Sequence, residues 1–118
     1  MPLAIIDYSV SPRSLIEMAR LLKQNLRKED GCARWGGEEF LLLLPETDSK
    51  TAVAVGQKLI ETVRGSIIEH PDNPIRLTVS LGICTFQRNQ TIDECIRSAD
   101  QALYEAKAVG RNRLAVRQ

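Results

Sequence analysis

Apolar positions recur along the chain at two periods, and the switches between them mark the elements. Leu3-Ala4-Ile5-Ile6 is a short apolar run closed by Asp7, the pattern of a buried strand. Ser11-Pro12 offers an N-cap followed by proline in a first helical turn. Leu15, Met18, Ala19, Leu22 and Leu26 follow at three- and four-residue spacing, which predicts a helix running to about Lys28. Its solvent face holds Arg20, Lys23, Gln24 and Arg27. Asp30-Gly31 breaks it. Residues 32–35 and 38–44 are extended runs separated by Gly36-Gly37, which spells a β-hairpin because glycine enters a positive-φ turn without strain.

A second helix is expected from Asp48-Ser49, with Ala52, Val55, Leu59, Ile60, Val63 and Ile67 on one face. Gly56 and Gly65 weaken it by about 1 kcal/mol each relative to alanine. After the turn cluster Pro71-Asp72-Asn73-Pro74, the residues Ile75, Leu77, Val79, Leu81 and Ile83 alternate with Arg76, Thr78, Ser80 and Gly82. The alternation predicts one strand with a buried face and a small, polar face. Thr91-Ile92-Asp93-Glu94 reads as a capping box. Ile92, Cys95, Ile96, Ala99, Leu103 and Ala106 line a third helix, with Gly110 at its C′ position, and residues 114–116 form a last strand. The order β-α-β-β-α-β-α-β is that of an α/β (α+β) domain, a sheet covered by helices. No repeat, low-complexity tract or linker interrupts it, so residues 1–118 read as one domain.

Composition narrows the partners. Sixteen Lys+Arg against fifteen Asp+Glu give a net charge of +1, so no global field draws the chain to nucleic acid or membrane. Recognition of an anion must therefore be local. The apolar runs are short, as in residues 41–44, far below the roughly 20 residues needed to span a bilayer. No signal-peptide pattern opens the sequence. Three cysteines with no C-x-x-C pair argue against a disulfide framework or a zinc site and for packing thiols. The expected compartment is the cytoplasm.

Candidate chemistry gathers at the hairpin and near the C-terminus. The glycines of Gly36-Gly37-Glu38-Glu39-Phe40 let the backbone approach a ligand closely and leave amides open to an anion. Adjacent carboxylates on a strand point to opposite faces, and one of them suits Mg²⁺, which takes a couple of carboxylates plus phosphate oxygens and water. The plain alternative is a hairpin tip carrying solubilising charge. Lys107 and Arg111, four residues apart at a helix end, can meet one anion or simply answer the negative helix terminus.

Arg34-Trp35-Gly36-Gly37-Glu38-Glu39-Phe40 resembles the signature of GGDEF domains, the diguanylate cyclase family, in its GGEEF variant. Leu77-Thr78-Val79-Ser80-Leu81-Gly82-Ile83 is similar to the family's T-V-S-x-G strand. Residues 99–107, reading A-D-Q-A-L-Y-E-A-K, followed by Gly110-Arg111-Asn112-Arg113, resemble its ending. The resemblance implies a nucleotide-cyclase-like fold: a central, mostly antiparallel sheet flanked by helices, with the signature on a hairpin. It implies a bacterial signalling reaction that joins two GTP into cyclic di-GMP with release of two pyrophosphates, using Mg²⁺ or Mn²⁺. By matched position, Glu38 and Glu39 correspond to the catalytic acids and Glu38 with Asp7 to the metal ligands. Gly36 and Gly37 would lie against the nucleotide, with Lys107 and Arg111 on its terminal phosphates.

Arg27-Lys28-Glu29-Asp30 is similar to the family's R-x-x-D inhibitory, product-binding site. Arg27 offers a planar fork to phosphate or guanine, and Asp30 can accept from guanine N–H groups; the alternative is an exposed ion pair. One family segment, F-K-x-x-N-D with a following G-H, has no counterpart, because Asp7-Tyr8-Ser9-Val10-Ser11 runs almost directly into the first helix. The domain therefore reads as N-terminally shortened or internally deleted, and the missing groups are those that read guanine. Three readings follow: a phosphate- and metal-binding domain with weak or absent cyclase activity, a noncatalytic cyclic di-GMP-binding module, and a structural dimerisation domain. The family reaction needs a homodimer, for which a linked sensory or regulatory domain is the expected partner.

Overall fold

In the computed structural model, residues 1–8, 14–36, 39–65, 67–68, 75–76 and 78–117 are described. Strand β1 (Pro2–Tyr8) is central, as its unbroken apolar run requires: it is paired along both edges and covered on both faces. Its neighbours are β3 (Glu39–Leu43) and β6 (Val79–Thr85), both antiparallel to it. β2 (Gly31–Gly36) forms the hairpin with β3, and β7 (Leu114–Arg117) runs parallel to β6, giving a five-stranded sheet in the order β2-β3-β1-β6-β7. The expected mostly antiparallel sheet is present.

The two-residue period of the strands divides the core. Ala4, Ile6, Phe40, Leu42, Leu81 and Ile83 face α1 (Ser14–Gln24) and α2 (Ser49–Arg64), packing with Met18, Leu22, Leu59 and Val63. Leu3, Ile5 and Cys84 face the other way, onto Cys95, Ala99 and Leu103 of α3 (Ile92–Ala108). Asp48 caps α2 through the Thr51 N–H, and Thr91 with Glu94 forms the expected capping box on α3.

Four expectations change. α1 ends at Gln24 rather than near Lys28 because the chain tightens: Asn25 and Leu26 donate to carbonyls three residues back, and the Asn25 side chain takes the Leu21 carbonyl. Leu26 still packs against the core, which is why the apolar period outlasts the helix. α2 stops at Arg64, where the Gly65 N–H closes its last turn onto the Glu61 carbonyl. Ile67–Ile68 (β4) instead pairs with Ile75–Arg76 (β5) in a separate two-stranded ribbon. The expected single strand from Ile75 to Ile83 is thereby split, since β5 and β6 belong to different sheets. Finally, the small, polar face of β6 is not a solvent face. Ser80 is 3% exposed, and a Cβ on Gly82 would lie 2.0 Å from the Ala99 carbonyl oxygen. Residues are small there because α3 lies directly on them.

Candidate functional site

The register of the sheet sets a row of polar groups at one end of the α3 face. Asp7 stands opposite Glu39 on one side and opposite Ser80 on the other. The same alternation that buries Leu3 and Ile5 beneath α3 puts Asp7 on that face, 8% exposed. Lys107, in the last turn of α3, forms an ion pair with the Asp7 carboxylate, joining residues 100 positions apart in sequence. A buried acid at this position is tolerable because it is paired. Asp100 lies on the same stripe of α3 as Lys107, two turns earlier. Burial raises the Glu39 carboxyl above the ordinary glutamate range, the Asp7 and Asp100 carboxylates push it the same way, and Lys107 opposes them.

The signature hairpin pairs down to Gly36 and Glu39, with the register shifting between Arg34 and Gly36 so that Trp35 is accommodated as an irregularity. Gly36 sits against Glu39: a Cβ there would meet Glu39 Oε1 at 3.1 Å. Gly37 and Glu38 lie outside the described residues. Among the described residues, no three Asp, Glu, His or Cys side chains come close enough to hold a metal ion. Asp7 and Glu39 do supply neighbouring carboxylate oxygens, the donor type a hard divalent cation takes.

Lys107 and Arg111 are not successive positions on one helix, because α3 ends at Ala108 and the chain turns. Gly110, Arg111 and Asn112 all have positive φ, at 127°, 59° and 53°. Glycine takes such a backbone freely and asparagine tolerates it, whereas arginine pays about 1–2 kcal/mol. The turn is held by bonds from Arg111 N–H to the Ala106 carbonyl (3.0 Å) and from Asn112 N–H to Ser80 Oγ (3.1 Å). Arg113 Nε donates to the Arg111 carbonyl at 3.0 Å, and Leu81 N–H donates to the Arg113 carbonyl at 3.0 Å.

Arg27 and Asp30 meet at the far end of α1. Asp30 accepts the Arg27 backbone N–H at 2.7 Å and an Arg27 Nη2 bond at 2.9 Å, and its side chain is 3% exposed. Arg27 Nη2 also donates to the Pro45 carbonyl and to Thr47 Oγ1, both at 2.7 Å. The hydrogen bond to Asp30 raises the Arg27 pKa. Beside this pair is a cavity of about 300 Å³ lined by Lys23, Leu26, Arg27, Lys28, Asp30 and Cys32. Three of those six side chains are cationic. Asp30 thus fixes Arg27 in place, in the ion pair that the sequence offered as the alternative reading, with the Asp30 side chain buried rather than exposed.

The family profile for "Diguanylate cyclase, GGDEF domain" matches residues 9–113, nearly the whole chain. The chain belongs to the GGDEF family. Diguanylate cyclase DgcM of Escherichia coli is 43% identical over 111 residues, covering 93% of this chain and 26% of the relative. The GGDEF domain described here thus spans about a quarter of the length of that relative. Diguanylate cyclase SiaD of Pseudomonas aeruginosa, solved in complex with its activator SiaC, superposes with a TM-score of 0.93 at 32% identity, covering 98% of this chain and 49% of that one. The active GGEEF domain of a diguanylate cyclase from Vibrio cholerae gives 0.82 at 25% identity, covering 100% and 85%.

Within this GGDEF domain the structure brings together Asp7, Glu39 and Lys107, and Arg111 follows Lys107 around the turn. Arg27 and Asp30 form their own cluster, away from that row and on the α1 side. Asp100, Ser80, Asn112 and Arg113 also take part, beyond the residues expected from the sequence. Ser80 carries no clear sequence signal, because alternation along β6 does not tell that α3 covers its polar face. Cys84 and Cys95 are packing thiols as expected, with burial first and then the Cys84 contact pushing Cys95 up to about 12. Among the described residues, no helix is long and apolar enough to cross a membrane.

Proposed function

We propose that this domain of cyclic di-GMP signalling holds a nucleoside triphosphate by its phosphates at the β1–hairpin–α3 end and binds cyclic di-GMP at Arg27 and Asp30, with GTP cyclisation weak or absent. The observation that carries the first part is the convergence of Asp7, Glu39 and Lys107 at one end of the sheet, with Arg111 one turn further on. In that reading Lys107 and Arg111 contact the terminal phosphates, and Gly36 and Gly37 pack against the nucleotide. Asp7 and Glu38 hold Mg²⁺ or Mn²⁺, with Glu38 and Glu39 as the catalytic acids. The divalent ion, when bound, supplies neutralisation of the triphosphate charge. Lys107 and Asp7 neutralise one another in the free protein, so each is kept in place until ligands of opposite sign compete for them.

The second part rests on the cationic cavity beside Arg27. Asp30 holds the guanidinium on one side, while Lys23 and Lys28 add charge that suits the phosphates of a cyclic dinucleotide. Weak cyclisation follows from the absence of the F-K-x-x-N-D and G-H groups: without hydrogen-bonding partners for guanine, base selection and in-line placement are lost. The family reaction also requires two facing copies, which a linked sensory or regulatory domain in a longer cytoplasmic protein would bring together.

Two measurements test this reading. Incubation with GTP and Mg²⁺ should yield little or no cyclic di-GMP, and robust turnover would overturn the first part. Calorimetric titration with cyclic di-GMP should show binding that Arg27→Ala weakens about tenfold or more. Equal affinity of the two proteins would remove the second part.

A further inference from the structure

We propose that Ser80 and Arg113 are positioning residues for Arg111, holding the left-handed Gly110–Arg111–Asn112 turn that presents its guanidinium to phosphate. The inference rests on the phosphate reading of Arg111 given above and extends it to two residues outside the signature contacts.

Arg111 adopts a backbone conformation that its side chain does nothing to favour, so its neighbours must impose it. The peptide that joins Arg111 to Asn112 is held from both sides. Ser80 is buried at 3% exposure, beside Asp7, and its Oγ accepts the Asn112 N–H at 3.1 Å. A serine so placed fixes the turn relative to the row that carries Asp7 and Glu39, instead of leaving it to hang from the end of α3. On the other side, Arg113 Nε donates to the Arg111 carbonyl at 3.0 Å. The Arg113 guanidinium also lies over Gly110, where a Cβ would come within 2.8 Å of Nη2. Gly110 is therefore favoured by its positive φ, while the Arg113 tip over it is a flexible neighbour that could shift.

Three other cations near the C-terminal end of α3 are engaged. Lys107 is paired with Asp7, Arg117 with Glu105, and Arg113 with a backbone carbonyl. The Arg111 side chain is exposed and makes no ion pair or hydrogen bond with another described residue. A strained turn that is bonded at every peptide yet leaves its one long cationic side chain unengaged is built to offer that side chain to something else. An anion at the end of α3 is the chemistry that fits it.

The test is binding of inorganic pyrophosphate in the presence of Mg²⁺, measured by calorimetry, with melting temperature recorded for every variant. Arg111→Ala should weaken binding about tenfold or more, as expected for loss of charge-assisted bonds. Ser80→Ala and Arg113→Lys should each weaken it about threefold to tenfold, the value of one positioning hydrogen bond. Arg113→Lys keeps the charge and lies on the surface, so it reports the loss of the Nε bond without disturbing the core. In an Arg111→Ala background, neither change should weaken binding further.

If Arg111→Ala weakens binding but Ser80→Ala and Arg113→Lys match the wild type, the positioning role is wrong and the phosphate reading stands. Further weakening by either change in the Arg111→Ala background also overturns the positioning role, because the residue then acts by another route. If Arg111→Ala binds like the wild type, or the wild type does not bind pyrophosphate, the phosphate reading fails and this inference falls with it.

Discussion

Replacing Gly82 by alanine adds one carbon at the point where α3 crosses β6. An ideal Cβ there would stand 2.0 Å from the Ala99 carbonyl oxygen, 2.3 Å from the Leu103 nitrogen and 2.9 Å from the Leu103 Cα. Ordinary contact begins at about 3.4 Å, so the shortfall exceeds an ångström, and every clashing atom is backbone. No rotamer change relieves it. Either α3 lifts off the sheet, loosening Cys95, Ala99 and Leu103 from Leu3, Ile5 and Cys84, or β6 distorts between its partners β1 and β7. Ordinary overpacking costs about 1–3 kcal/mol, and a whole-helix displacement belongs above that range, at about 4 kcal/mol or more. For a domain of this size the melting temperature should fall by about 15 °C or more. Gly56→Ala is the internal control: its Cβ would meet only side-chain tips, Leu114 Cδ2 at 3.0 Å and Ile83 Cδ1 at 3.2 Å, while alanine improves helix propensity by about 1 kcal/mol. Thermal and urea denaturation of the two variants should separate them widely. A Gly82→Ala protein melting within about 3 °C of the wild type, roughly 1 kcal/mol or less, would refute the close-packing account of β6.

The charge row gives two further predictions. Glu39 has a folded pKa raised above its unfolded value near 4.5, so its ionised form disfavours the fold, and stability is lost as pH rises from the unfolded through the folded pKa. Glu39→Gln should therefore stabilise the protein at pH 7 by about 0.2–1 kcal/mol, toward the lower end because the group is partly solvated, and the gain should vanish below about pH 4. A gain that persisted at pH 3 would show another origin. Asp7→Asn frees Lys107 from its partner, so pyrophosphate should bind more tightly than to the wild type when divalent ions are chelated away, by about threefold or more. Weaker binding by this variant would mean that Lys107 needs Asp7 to hold it in position.

Much of this architecture was legible because local rules and global packing agree. The run 3–6 could only be a sheltered strand, Thr91 and Glu94 announced the start of α3, and Gly110 its end. What stayed hidden has a physical reason in each case. Alternation on β6 told the two faces apart but not what covers them, since a small residue under a helix backbone looks like a small residue facing water. Ile67 kept the α2 period although Gly65 had already ended the helix. The Lys107–Asp7 pair joins sequence ends through sheet register, which no local pattern carries. A positive-φ arginine has no sequence signal of its own, so the spacing of Lys107 and Arg111 looks helical; the bonds that hold the turn come from Ser80 and Arg113. The Arg27–Asp30 spacing allowed an ion pair, and the structure adds that Asp30 is buried in it and also takes the Arg27 backbone N–H.

The central claim is that this domain grips a triphosphate by its phosphates but lacks the groups that read the base. The direct measurement is a calorimetric comparison of GTP and ATP binding in the presence of Mg²⁺. The account predicts that both bind, with affinities equal to within about threefold, because no hydrogen-bonded base pocket distinguishes them. A preference for GTP of about tenfold or more would contradict it by revealing a guanine site. Failure of both nucleotides to bind would contradict the phosphate grip itself.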